Sequence, residues 1–168
     1  MPLSSSLAQM LFNFSPNAPH QKHGYCLFLI KQKHHIMNTR KIWANLAVND
    51  LEQTTRFYSA IGFKPNGSSK DLTSFLVGES NFVIHFFLKD VLKPNIHGDI
   101  VDLKNGNEVV FTLSAGSKAE VNEWAEEIEK AGGKLVSQPE EFGEGYYGFV
   151  FCDPDGHKFN VFYMDVLL

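Results

Sequence analysis

The sequence is poor in cysteine, in basic charge and in long apolar runs. Its two cysteines, Cys26 and Cys152, lie far apart and form neither a CxxC pair nor any other metal-type spacing. A disulfide framework is therefore excluded, and a reducing, cytoplasmic setting is expected. A formal net charge of -4 leaves no basic footprint, so nucleic acid is not an expected partner. The apolar run at 25–30 is far shorter than the roughly 20 residues that cross a bilayer, and no membrane association is expected. Acidic residues are missing altogether from 1–37, which carry Lys22, Lys31 and Lys33 together with His20, His23, His34 and His35. Much of that positive charge follows the apolar run, the reverse of a signal peptide. With a serine run at 4–6, Pro16, Pro19 and no sustained periodicity, 1–37 reads as a disordered extension, and Met37 as the natural start.

What remains, 38–168, has the makings of one globular domain. The chain of 168 residues is 43% hydrophobic and 20% charged, and its 15 Phe point to a bulky interior. From Lys41 the chain alternates strand and helix patterns. A strand at 42–48 leads to Asn49-Asp50, an N-cap with Gln53 as box partner. Leu51, Tyr58 and Ile61 lie at helical spacing, and Gly62 closes the helix. Strands at 72–77 and 82–88 follow across the turn Gly78-Glu79-Ser80-Asn81.

The second half repeats this order. A strand is expected at 108–113, then the capping box Ser117-Lys118-Ala119-Glu120 and a helix whose apolar face is Val121, Trp124, Ala125 and Ile128. Gly132-Gly133 ends that helix, and strands at 146–151 and 158–163 flank Asp153-Pro154-Asp155-Gly156. Ile61-Gly62-Phe63-Lys64 overlays Ala131-Gly132-Gly133-Lys134, and the strand at 83–87 overlays 158–162. The expectation is an α+β domain of two tandem βαβββ modules related by a pseudo-twofold. Module one covers about 40–90 and module two about 107–165, joined by a polar linker over about 91–106. Curved mixed sheets set side by side would share one cavity able to hold a small molecule.

Val48-Asn49-Asp50-Leu51, Phe57-Tyr58 and Ile61-Gly62-Phe63, with Ala131-Gly132-Gly133 and Asp153-Pro154-Asp155-Gly156-His157 in module two, resemble the vicinal oxygen chelate superfamily (glyoxalase, bleomycin resistance protein, dioxygenase). The resemblance implies a homodimer whose cupped sheets hold a metal at one position on the first and one on the last strand of each module. Those positions fall on Trp43, His85, Glu108 and Asn160, with Trp43 matched to Glu108 and His85 to Asn160. Trp43 is no metal ligand, since the indole N–H only donates. Asn160, a neutral amide, stands where the family's lyases carry glutamate. His85 and Glu108 are left as an incomplete metal pair or an acid–base pair.

The resemblance so read implies a small-molecule-binding protein with a cavity lined by Trp43, Asn45, His85, Glu108 and Asn160, and no cofactor. The alternatives are a metal-dependent lyase like glyoxalase I, using nickel, zinc, iron or manganese, and a vestigial cavity with an interaction role. The segment 140–146, holding Gly143, Gly145, Phe142 and Tyr146, suggests a flap. His97 and His157 read as exposed and inert, and Cys152 as a strand-end residue rather than a nucleophile.

Overall fold

Strand and helix periods in the first half of the domain resolve into β1 (Trp43–Val48), α1 (Leu51–Ala60), β2 (Lys64–Ser68), β3 (Leu72–Val77) and β4 (Phe82–Leu88). The computed structural model describes residues 40–165, so the expectations for 1–37 lie outside the described residues. Asp50 starts α1 by accepting from the backbone N–H groups of Glu52 and Gln53 at 2.9 and 3.0 Å. Gly62, at φ +88°, supplies the left-handed residue that ends it. The strands lie in the order β1-β4-β3-β2, with β1 parallel to β4 and the other pairs antiparallel.

Part of the segment read as a linker is ordered: α2 (Lys89–Ile96) follows β4 directly and contains Pro94. Its short length, its lack of a side-chain N-cap and that proline hide it from pattern reading, whereas buried Leu92 fastens it in the fold. The second module follows as β5 (Val110–Ser114), α3 (Lys118–Lys130), β6 (Lys134–Leu135), β7 (Glu140–Glu141), β8 (Tyr146–Cys152) and β9 (Lys158–Met164). The expected capping box is present: Ser117 Oγ accepts from Glu120 N at 3.1 Å, and Glu120 reaches back to Gly116 N at 2.7 Å. Strand order is β5-β9-β8-β6, with β7 also on β8 and β5 parallel to β9. The architecture is therefore α+β with two curved mixed sheets, as the repeat implied.

The inward faces of both sheets and both long helices feed one core. Phe75, Phe86, Phe149, Phe151 and Phe159 are each at most 1% exposed. Burying each stabilises the fold by about 1.5–3 kcal/mol. Tyr58 of α1 sits among Phe63, Phe75, Phe86 and Phe159, with ring centroids 4.3 to 5.9 Å away. Module one's helix thus packs against a strand of module two.

Strand register corrects the overlay of the two modules. Asn45 pairs with His85, and Thr112 pairs with Asn160, so with His85 matched to Asn160, Asn45 corresponds to Thr112. Trp43, beside Val83, then corresponds to Val110, beside Lys158; Glu108 lies two residues further back, before β5 begins. By the same registers Phe75 corresponds to Phe151 and Phe82 to His157, while Val77 corresponds to Asp153. A slip of two keeps the same face inward, so alternation of residue type alone does not detect it.

Candidate functional site

The face of the first sheet turned away from the core carries one polar row. Alternation along β1 and β4 puts Trp43 and Asn45 on the side of Val83, His85 and Phe87, while Leu46, Val48, Ile84 and Phe86 point into the core. His85 stands between its cross-strand partners Asn45 and Ser74. Asn66 Nδ2 donates to Ser74 Oγ at 3.1 Å and extends the row onto β2. His85 is half-buried with its ring 6.0 Å from Phe87, and its Nδ1 is buried with no hydrogen-bond partner among the described residues. A buried polar atom left unpaired costs about 1–3 kcal/mol, and no group among the described residues offsets that cost at His85 Nδ1. Trp43 is 53% exposed and is no part of the core.

Asn160 stands on the other sheet, between Thr112 and Val150. It lines a pocket of 200 Å³ together with Ser137, Glu140, Phe142, Gly148, Phe149 and Val150. The segment expected to form a flap is a hairpin tip over this pocket. Phe142 N donates to Tyr146 O at 3.1 Å, and Gly143 and Gly145 take left-handed φ values of +80° and +79°. Its aromatic rings continue to Phe162 through Tyr146, 6.3 Å away.

Glu108 departs from its expected role. Its carboxylate lies 2.7 Å from His157 Nδ1, so its partner is His157 rather than His85. His157, expected to be exposed, is 3% exposed. Asp153 is the cause: its Oδ1 accepts the backbone N–H groups of Asp155, Gly156 and His157 at 3.0, 2.8 and 2.8 Å, tightening the turn inward. Module one then covers it. Tyr58 O–H donates to Asp153 Oδ2 at 2.8 Å, Asn49 donates to Asp155 Oδ1 from both N and Nδ2 at 2.9 and 2.6 Å, and His157 Nε2 meets Ala47 O at 3.0 Å.

With an acceptor against each ring nitrogen, His157 is best matched to both when doubly protonated. Burial opposes that charge, but Glu108, Asp153 and the Ala47 carbonyl outweigh it and raise the pKa above 6.5. Asp153 is also pushed up, by burial first, against the opposing pull of His157, Tyr58 and the turn. A group whose folded pKa is raised stabilises fully below its unfolded value and loses that contribution as pH rises through the folded value. Resistance to urea is therefore expected to fall from about pH 6.5 upward, and Glu108→Gln should flatten the fall. A wild-type profile flat across that window would show that His157 is neutral in the fold. Cys152, half-buried at the end of β8, has its thiol pushed up by burial and suits the strand-end role expected of it.

The donors for a metal do not assemble. Trp43 offers none, Asn160 is neutral, Glu108 is committed to His157, and no three His, Cys, Asp or Glu side chains converge among the described residues. This set does not fit a tetrahedral or octahedral shell within one chain.

Residues 32–161 match the family model described as Glyoxalase/Bleomycin resistance protein/Dioxygenase superfamily. No curated protein matches the chain. Among solved structures, a hypothetical protein from S. aureus is similar at 28% identity and TM-score 0.68, covering 76% of this chain and 95% of its own. A glyoxalase-related enzyme from Fulvimarina pelagi is 22% identical, with TM-score 0.64 and 74% and 88% covered. A lactoylglutathione lyase from Agrobacterium tumefaciens is 21% identical, with TM-score 0.57 and 76% and 96% covered. At such identities the last two speak for the fold alone.

Proposed function

Because the chain belongs to the glyoxalase/bleomycin resistance protein/dioxygenase superfamily, we propose that it binds a small molecule on the outward face of its sheets. Asn45 and His85 hold the polar part of the ligand, and Trp43 covers its apolar part. The observation that carries this reading is the buried, unpartnered Nδ1 of His85 in the Asn45–His85–Ser74 row. A neutral imidazole offers one donor and one acceptor, which suits a hydroxyl, carbonyl or carboxyl group. Asn160 supplies an amide from the second sheet.

The proposed assembly is a homodimer. β1 and β5 are edge strands, each paired on one side only among the described residues. Exposed apolar residues flank and occupy them: Ile42 and Trp43 at 75% and 53%, Val109 and Val110 at 40% and 48%. Unpaired edges of this kind invite pairing with another chain. β1 of one protomer beside β5 of its partner would join two sheets into one concave surface and bring Asn160 of one protomer toward His85 of the other. No helix among the described residues is long and apolar enough to cross a membrane.

The test is a thermal-shift screen of small aromatic and polar compounds with and without chelator. A stabilising compound should keep its effect in chelator and lose it in His85→Ala. That variant should melt within a few degrees of wild type, since it deletes a ring that makes no side-chain hydrogen bond among the described residues. Stabilisation that disappears with chelator, alongside stoichiometric nickel, zinc, iron or manganese, would favour a lyase like glyoxalase I instead. Equal stabilisation of wild type and His85→Ala would remove His85 from the site.

A further inference from the structure

The two junctions between the modules are related by the internal repeat, yet among the described residues only one is sealed with side-chain hydrogen bonds. Where module two turns from β8 to β9, the inward residues are Asp153 and His157, and both bond module one. The corresponding inward residues where module one turns from β3 to β4 are Val77 and Phe82, which have no polar groups to offer. Phe82 packs against Phe111 of β5 with ring centroids 5.9 Å apart. The β3–β4 turn, Gly78-Glu79-Ser80-Asn81, adds no polar wedge of the kind Asp153, Asp155 and His157 make. A cleft of 560 Å³ remains, lined by Val77, Phe82, Phe111 and Trp124 on its apolar side and by Lys64 and Ser80 among its polar residues.

This volume lies within the range of small-molecule sites. Lys64 is the only charged residue lining the cleft among the described residues. Beyond Trp124 a second groove is lined by Glu120, Glu123 and Glu127, so the potential runs from positive at Lys64 to negative past the indole. An anionic group is therefore favoured at the Lys64 end alone. Three aromatic side chains along the remaining wall favour a flat ring.

We propose that this cleft is a second binding site, separate from the His85 face, for a small aromatic carboxylate. The ring lies against Phe82, Phe111 and Trp124, and the carboxylate pairs with Lys64 Nζ within reach of the Ser80 hydroxyl. Discrimination comes from the charge, because a neutral analogue gains the aromatic contacts but not the ion pair.

Isothermal titration calorimetry with 1-naphthoate and the neutral 1-naphthalenemethanol tests the assignment. Naphthoate is expected to bind saturably at one site per chain. Lys64→Met should weaken it by about tenfold or more and leave naphthalenemethanol unchanged. Ser80→Trp, placed in an exposed turn and filling the mouth, should abolish both, and His85→Ala should alter neither. Circular dichroism on each variant confirms folding, and Lys64 and Ser80 are both exposed, so neither change touches the core. The proposal is overturned if neither probe binds saturably, if Ser80→Trp binds as wild type does, or if naphthoate is lost in His85→Ala and kept in Lys64→Met. It is equally overturned if neither probe binds and Lys64→Met shifts a monomer–dimer equilibrium, for then a second copy covers the cleft.

Discussion

Asp153→Ala is expected to cost about 3–5 kcal/mol of unfolding free energy, enough to leave the chain marginal at 37 °C. The carboxylate is 4% exposed and accepts four hydrogen bonds, three from the turn that follows it and one from Tyr58 across the module junction. Alanine leaves the buried Tyr58 hydroxyl and His157 N–H without their acceptor, while the half-buried Gly156 N–H keeps the Asp153 carbonyl at 3.1 Å. Asp153→Asn keeps an oxygen for the three turn N–H groups and loses the charge, so it should fall well short of the alanine loss. Tyr58→Phe deletes only the bond across the junction and should cost about 1.5–3 kcal/mol, as for hydrogen bonds to charged groups. The two losses should not add: in Asp153→Ala the hydroxyl is already unpaired, and removing it as well should recover part of the penalty. Chemical denaturation of the two single variants and the double variant measures this. An Asp153→Ala loss under about 1 kcal/mol would mean that apolar packing, and not this polar wedge, joins the modules.

Gly148→Ala is expected to abolish folding of module two or cost more than the ~1–3 kcal/mol usual for overpacking. A methyl group at Gly148 would collide with Val161 O and meet Phe162 Cβ and Cα at 2.8 and 2.9 Å. Two of these are backbone atoms of β9, fixed by the β8–β9 ladder, so relief requires parting the two strands. Gly62→Ala is the control. Its methyl group meets nothing within 4 Å, but the backbone sits at φ +88°, so the loss should be only the ~1–2 kcal/mol of left-handed strain. Comparing soluble yield and melting temperature of the two variants separates crowding from conformation. Similar losses would mean that β8 and β9 yield at Gly148.

Elements with strong local signals were legible in the sequence. Asp50 and Ser117 as caps, Gly62 and Gly132 as stops and the apolar alternation of β3, β4, β8 and β9 determine the modules by local chemistry. Relations across the fold were not. A strand slipped by two residues looks the same by alternation, so the sequence overlays Glu108 on Trp43 although it lies ahead of β5 and contacts His157. An Asp-Pro-Asp-Gly turn is usually a surface feature, so the local sequence points His157 to solvent. Its burial depends on Tyr58, Asn49 and Ala47, about a hundred residues away in the chain, and no local pattern announces them. The aromatic lining of the cleft was hidden for the same reason: Phe82 and Phe111 belong to different modules, and only the fold brings their rings to 5.9 Å.

The separation of the two ladders has a bearing on the order in which the chain takes shape during synthesis. Among the described residues no strand of one sheet pairs with the other, so every partner of the first sheet has been made once Leu88 is joined. At ordinary elongation rates, about 5–20 residues per second, several seconds pass before Asp153 emerges. During that interval Tyr58 and Phe57 have their own sheet but not Asp153, Phe151 or Phe159. The nascent chain therefore presents an unfinished aromatic surface, and the last hairpin to be made is the piece that withdraws it from solvent.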